Sequence, residues 1–253
     1  MRRTSRSTGD LSPGEKRALL RHLLQTRLSE AHALSPLSDN QQGIWFLSQF
    51  APENSIYNVS LAGRIRSQID IPALRRAFQA LLDRHPSLRT TIAVHSGRPV
   101  QHIHEHQPIH FEQIDASTWS EHDVQTGLVN ATQRPFDLER GPVMRVTLFT
   151  RSAQEYILLL VIHHIVVDFW SLAVLLNELG VLYSAEQSGR PAALPRLELQ
   201  YTDFVRWQTE RLAGEAGERL WDYWKTQLAG GWFFMRSWIC RHSSSNNARS
   251  RTK

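Results

Sequence analysis

The stretch Ile162-His163-His164-Ile165-Val166-Val167-Asp168-Phe169-Trp170-Ser171 ends the most apolar run of the chain with two histidines and a carboxylate. Imidazole is the side chain whose ordinary range crosses neutral pH, so a histidine here could act as a general base. It could take a proton from an amine or hydroxyl attacking an acyl group. Asp168 could orient the site or pair with an arginine. Two histidines and a carboxylate could also ligate zinc or iron. A third use is structural, a buried histidine pair satisfied by backbone carbonyls. Strand geometry bears on the choice. Alternate residues point to opposite faces, so His163 and His164 diverge. Diverging neighbours grip one ion poorly, and only one of them can face a given cleft.

The elements around this stretch must position it. Tyr156 to His163 is almost continuously apolar and predicts a central strand covered on both faces. With Met144 to Thr150 it forms an antiparallel hairpin around the polar loop Arg151 to Glu155. After the histidines, Leu172, Leu175, Leu176, Leu179 and Leu182 fall at helical spacing. Upstream, Ile56–Ile65 and Leu88–Val94 read as strands, as do Val100–His104 and Ile109–Ile114. Ile71–Arg84 and Ser120–Thr132 read as helices. Leu11–Glu30 reads as an amphipathic helix, and Ala31–Asp39 as a connection. Pro191–Leu197 is a proline-rich loop, followed by helices over Tyr201–Leu212 and Ala216–Leu228.

The totals exclude several classes. The chain has 253 residues, 41% hydrophobic and 21% charged, with a net charge of +5. That length suits one good core or two small domains. Residues 1–30 carry +4 and residues 231–253 carry +5, leaving −4 on the rest. The basicity belongs to the two ends, with no basic stripe on any predicted element, so nucleic acid is not an expected partner. No apolar run is long enough to span a membrane. The basic N-terminus has no hydrophobic segment of the secretory kind. The single cysteine, Cys240, can form no internal disulfide, and a cytoplasmic chain is expected.

Several segments together resemble one family, the condensation domains of nonribosomal peptide synthetases. The family pattern HHxxxDGxS stands here as His163-His164-Ile165-Val166-Val167-Asp168-Phe169-Trp170-Ser171. The segment Leu37 to Phe50, LSDNQQGIWFLSQF, resembles its opening S-x-x-Q-x-x-x-W-F-L-x-Q motif. Arg84 to Ile92, RHPSLRTTI, resembles its R-H-x-x-L-R-T motif, and Tyr201 to Gln208, YTDFVRWQ, its Y-x-D-[YF]-x-x-W motif. Arg134 to Pro142, RPFDLERGP, is similar to the family's linking stretch. The resemblance covers about residues 10–229.

It implies an α/β fold, an α+β sandwich of the chloramphenicol acetyltransferase type, whose mixed, mostly antiparallel sheet is flanked by helices. Two such lobes enclose a tunnel. Donor and acceptor enter it on phosphopantetheine arms of carrier proteins, and an amide bond forms. The implied catalytic residue is His164, as general base or by positioning the amine and stabilising the tetrahedral intermediate. His163 is implied to be structural. Asp168 is implied to pair with an arginine, with Arg89 preferred over Arg84. No metal and no directly bound cofactor are expected. The implied partners are carrier proteins, adjacent synthetase modules and the family's second lobe.

The sequence departs from the family twice. Phe169 stands where the family has glycine, so Phe169, Trp170 and Ser171 are candidates for shaping the tunnel. The family's later motifs are absent after Gly230. Residues 1–34 are therefore expected to be a lead-in helix and linker, and 35–229 the first lobe with the start of the inter-lobe connection. Residues 230–253 are expected to be an aberrant, disordered basic tail, as from a frameshift, in which Cys240 has no role. The inter-lobe face would be partly apolar and exposed, and turnover by such a fragment weak. A non-catalytic remnant or carrier-docking module is the alternative of another class. A coenzyme A-dependent HxxxD acyltransferase is a third. Trp45, Trp207, Trp221 and Trp224 are expected to be packing residues. His102, His104, His106 and His110 alternate like a metal stripe, but a solvated hairpin edge is expected, because no matching carboxylate or cysteine set accompanies them.

Overall fold

The computed structural model describes residues 34–229. The expected lead-in helix, the tail and Cys240 lie outside them. The chain divides into two units, residues 1–202 and 203–253.

In the first unit a four-stranded sheet carries the histidine motif. Its strands are β2 (Asn58–Ile65), β5 (His110–Asp115), β6 (Met144–Ser152) and β7 (Glu155–His163), in the order β2-β7-β6-β5. β7 is internal, antiparallel to both neighbours, while β5 joins β6 in parallel. The sheet is thus mixed and mostly antiparallel, as expected. The β6–β7 turn is tighter than expected, because pairing continues out to Ser152 and Glu155.

Alternation along β7 assigns its side chains to two layers. Tyr156, Leu160 and Ile162 pack in one core with helices α2 (Ile71–Arg84) and α4 (Phe169–Ser188). Ile157, Leu159 and Val161 pack on the other face with α3 (Glu121–Gln133). Each such buried aliphatic side chain contributes about 1.5–3 kcal/mol. Both layers explain why β7 reads as one apolar run rather than an alternating one. α3 approaches the sheet closely at Gly127, where a Cβ would lie 2.7 Å from the Trp119 ring.

Helix starts follow their caps. Asp70 accepts from the Ala73 N–H at the head of α2, and Ser120 forms a reciprocal capping box with Asp123 at the head of α3. Ser38 and Gln41 form the same box on α1 (Asp39–Phe50).

A second sheet has three strands in the order β1 (Leu34–Pro36), β4 (Arg98–Ile103), β3 (Thr90–His95). β4 is therefore its central strand, not the solvated edge expected of a hairpin alone. His104, just past β4, is bonded through Nε2 to the Thr91 hydroxyl at 2.9 Å. Among the described residues no group of three or more His, Cys, Asp or Glu could hold a metal. A third apolar cluster, Leu37, Ile92, Leu138, Val143 and Ile165, fixes the loop after β7, with Trp45 packed against it.

Helix α5 covers Tyr201–Ala213, across the sequence boundary between the units, and α6 covers Glu215–Ala229. The tryptophans expected to be packing residues there stay largely exposed, although Trp207 meets Phe204 and Trp224 meets Tyr223 ring to ring. Trp207, Trp221 and Trp224 are exposed, Trp221 by 70%, and α6 has no buried residue. Among the described residues no helix is long and apolar enough to cross a membrane.

Candidate active site

The strand ends at the histidine pair. His163 N–H donates to the Val143 carbonyl and His164 N–H to the Tyr57 carbonyl, at 2.9 and 2.8 Å. Val166 N–H then closes a turn onto the His163 carbonyl. The residues between the histidines and Asp168 are anchors. Ile165 is buried in the third cluster and Val167 in the main core. Gln41, itself buried, holds the turn from outside. Its Nε2 donates to the Ile165 carbonyl at 3.0 Å and to Gln101 Oε1 at 3.2 Å. A buried amide left unpaired costs about 1–3 kcal/mol, so this network fixes the turn strongly.

The two histidines occupy different environments. His164 is exposed, and its Nδ1 lies 2.5 Å from the Val167 carbonyl. A carbonyl only accepts, so Nδ1 carries the hydrogen and, in the neutral ring, Nε2 carries the lone pair. His163 is 5% exposed, and its Nδ1 accepts the Ile165 N–H at 3.2 Å. Its hydrogen is therefore on Nε2, the opposite tautomer. Burial lowers the His163 pKa to about 4, helped by the neighbouring His164 and by Arg145. At neutral pH His163 is uncharged. Phe136 stands edge-on to it at 5.8 Å, and Tyr57 lies at 6.1 Å. Arg145 lies over the Phe136 ring, 3.8 Å from its centre, and donates to the Pro135 carbonyl at 2.9 Å. Burial, and then Arg134, lowers the Arg145 pKa to about 10.

Asp168 is the N-cap of α4. Its Oδ1 accepts from the Ser171 N–H at 2.7 Å and from the Ser171 hydroxyl at 2.5 Å. These bonds hold its carboxyl below the usual carboxylate range. Neither arginine expected as its partner is there. Arg84 grips Glu178 through Nε and a terminal amine, at 2.9 and 3.2 Å, and donates to the Pro195 carbonyl. Glu178 is ten residues along α4 from Asp168, about 15 Å at the helical rise. Arg89 donates to the His104 carbonyl at 3.3 Å, and its Nε is buried without a partner. The RHPSLRT segment thus braces the far part of α4 rather than the carboxylate at its head.

Phe169 opens α4 and is 87% exposed, and Trp170 is 77% exposed. Among the described residues, positive φ occurs only at Ser96 and three glycines. Position 169 therefore needs no glycine-specific backbone, and the ring is accommodated by pointing outward. Ser171 lines the cavity that holds His164, and neither Phe169 nor Trp170 does.

Each histidine lines its own cavity. A cavity of about 450 Å³ is bounded by His164, Asp168, Ser171, Gln41, Tyr57 and Tyr201 among others. A larger one, about 660 Å³, is bounded by His163, Tyr57, Phe136 and the end of α1. Sequence reasoning had Gln41 only as part of the S-x-x-Q motif, with no role in the site, and missed Tyr57 and Glu178. Glu178 was legible in part, since it falls at the same helical spacing as the buried Leu175, Leu179 and Leu182.

Residues 32–232 match the model of the condensation domain. The chain belongs to that family. It is 39% identical over 200 residues to one of the linear gramicidin synthase polypeptides of Brevibacillus parabrevis, covering 77% of this chain and 3% of that protein. It is also 39% identical over 198 residues to chondramide synthase cmdD of Chondromyces crocatus, covering 77% of this chain and 5% of that protein. Among solved structures, the X-domain in complex with OxyB from teicoplanin biosynthesis matches with a TM-score of 0.71 and 30% identity, over 78% of this chain and 43% of that one. The starter condensation domain of rhizomide synthetase RzmA matches with a TM-score of 0.70 over 78% of this chain and 48% of that one; at 19% identity it speaks to the fold alone. This condensation-domain chain spans a few per cent of these two synthetase relatives and just under half of the matched structures.

Proposed function

We propose that the chain contributes to amide-bond formation between a carrier-bound acyl thioester and a carrier-bound amine, with His164 as the catalytic residue. The observation that carries this is the His164 ring. Its Nδ1–H is fixed on the Val167 carbonyl, so Nε2 is left to accept a proton at the cavity lined by Asp168 and Ser171. In the step, the amine nitrogen attacks the thioester carbonyl. Its proton passes to His164 Nε2 as the C–N bond forms. The C–S bond then breaks, and the departing thiolate takes the proton. Asp168 acts through the start of α4, as a positioning residue. Residues 35–229 are read as the first of two lobes, which the coverage of just under half of the matched structures supports. The substrates arrive on phosphopantetheine arms of carrier proteins, within a synthetase.

The likeness to an X-domain described in a complex with OxyB favours a second reading, a docking module without turnover. One experiment separates the two. The chain is incubated with donor and acceptor carrier proteins loaded with aminoacyl arms, and amide product is followed by mass spectrometry. Product that disappears in His164→Ala is expected. Carrier binding without product from the unmodified chain would overturn the catalytic reading and leave the docking one. Product undiminished in His164→Ala would remove His164 from its role.

A further inference from the structure

We propose that the larger cavity, on the His163 side of Tyr57, is a separate subsite for an uncharged, mainly apolar acyl or side-chain group bearing a hydrogen-bond acceptor, which His163 Nε2–H would bind. The proposal rests on the condensation reading only for where the ligand comes from, a carrier-borne substrate.

Size comes first. About 660 Å³ lies within the range of small-molecule sites, about 300–1,000 Å³. The wall is apolar where it is made by Leu47, Phe50, Ile56, Phe136 and Leu138. Into this wall His163 brings one polar group. Its Nδ1 is spent on the Ile165 N–H, so its ring hydrogen sits on Nε2. Among the described residues no group is bonded to that hydrogen, and Nε2 is not one of the fully buried atoms that lack a partner, so it opens onto the cavity that His163 lines. A carbonyl or ether oxygen entering the cavity would accept this hydrogen in place of water. The ring is neutral, so it offers a hydrogen bond without demanding an anion.

Charge selects further. The cavity is lined by Glu53, Asp137 and Glu139, and by no lysine or arginine. Asp137 is already engaged by the Glu139 and Arg140 N–H groups and pairs with the Arg140 guanidinium at 3.8 Å, which leaves Glu53 and Glu139 as the acids of the rim with no ion pair among the described residues. A carboxylate ligand would meet Glu53 and Glu139 with no cation in the lining of the cavity. The site therefore selects against anions.

Position links the cavity to the reaction. Leu47 and Tyr57 line both cavities, so they form the wall between the His164 and His163 sides. A substrate reacting at His164 could place its side chain past Tyr57. The first histidine of the pair would then be a binding residue as well as a packed one.

The probe is the N-acetylcysteamine thioester of 3-phenylpropionic acid, compared with its 4-carboxyphenyl counterpart. Binding to the chain is read from the His163 ring nitrogens by NMR and from titration calorimetry. The uncharged thioester should shift Nε2 of His163, and the carboxylate should bind at least tenfold more weakly. Ala51→Trp, at an exposed position that lines this cavity and not the other, should weaken binding at least tenfold without unfolding the chain. His164→Ala should bind the probe as the unmodified chain does, which separates this site from the catalytic reading. Equal binding in Ala51→Trp, preference for the carboxylate, or no binding at millimolar probe would overturn the proposal.

Discussion

His163 and His164 are neighbours in sequence and opposites in physical state. One is buried, neutral and hydrogenated on Nε2. The other is exposed, hydrogenated on Nδ1, and free to accept at Nε2 when neutral. No difference in residue type produces this. The backbone does, by sending one ring to each side of the sheet and offering each Nδ1 a different partner, an N–H or a carbonyl. Identical side chains acquire different chemistry from the group fixed to one nitrogen.

The largest expected contrast is in rate. His164→Ala should lower amide formation by about 10²–10⁴-fold, the usual worth of a positioned acid or base. Because the ring is exposed, the melting temperature should hardly change in calorimetry. Loss of stability equal to the loss of activity would mean that His164, too, is structural.

Next is the frame that both rings share. Glu178→Ala should cost about 3–5 kcal/mol, since Arg84 and His85 would lose their buried carboxylate partner. Urea unfolding measures this. Unlike His164→Ala, it should reduce stability and rate together. A loss under about 1 kcal/mol would show that α4 is held by its leucines alone.

Acid should separate the histidines again. The folded pKa of His163, about 4, lies below the ordinary value of 6.5. Below pH 6.5 the unfolded chain therefore binds more protons than the native one, and stability falls as pH falls from 6.5 to 4. The loss from this residue approaches about 3 kcal/mol by pH 4. Burial also lowers the pKa of His104 and His110, which adds to the slope in the same direction. His163→Phe should flatten the curve relative to the unmodified chain. An unchanged slope would contradict the buried, neutral state.

The smallest effect concerns Asp168. Asp168→Ala should cost about 1 kcal/mol as a lost cap, whereas Asp168→Asn should keep the cap and most of the stability. Activity lost in Asp168→Asn with the fold intact would give the carboxylate charge a role beyond capping.

Much of this arrangement is legible in the sequence because it is local. The apolar run of β7, its pairing with β6 and the face of α2 follow from spacing over a few residues. The divergence of the two histidines follows from strand alternation. Their tautomers do not, because they depend on the turn that brings the Val167 carbonyl and the Ile165 N–H to the rings. Helix α1 escapes a reading by periodicity. Its sequence, DNQQGIWFLSQF, has exposed aromatics rather than an apolar stripe, and it is stabilised at one end by the Ser38–Gln41 box. The three residues of β1 are too few to reveal that β4 is internal. For Asp168 the expected partner is a distant arginine, yet the spacing Asp168-x-x-Ser171 already contains a local one. The long-range closure of Arg84 on Glu178 also requires three dimensions.

The strand alternation in β7 has one further consequence. The assignment of the two histidines is a matter of parity. A strand changes face with every residue, so inserting one residue before His163 would exchange their addresses. His164 would be turned toward Phe136 and Arg145, and His163 toward the cavity of Asp168. Every atom needed for the chemistry would still be present, and the count would be wrong.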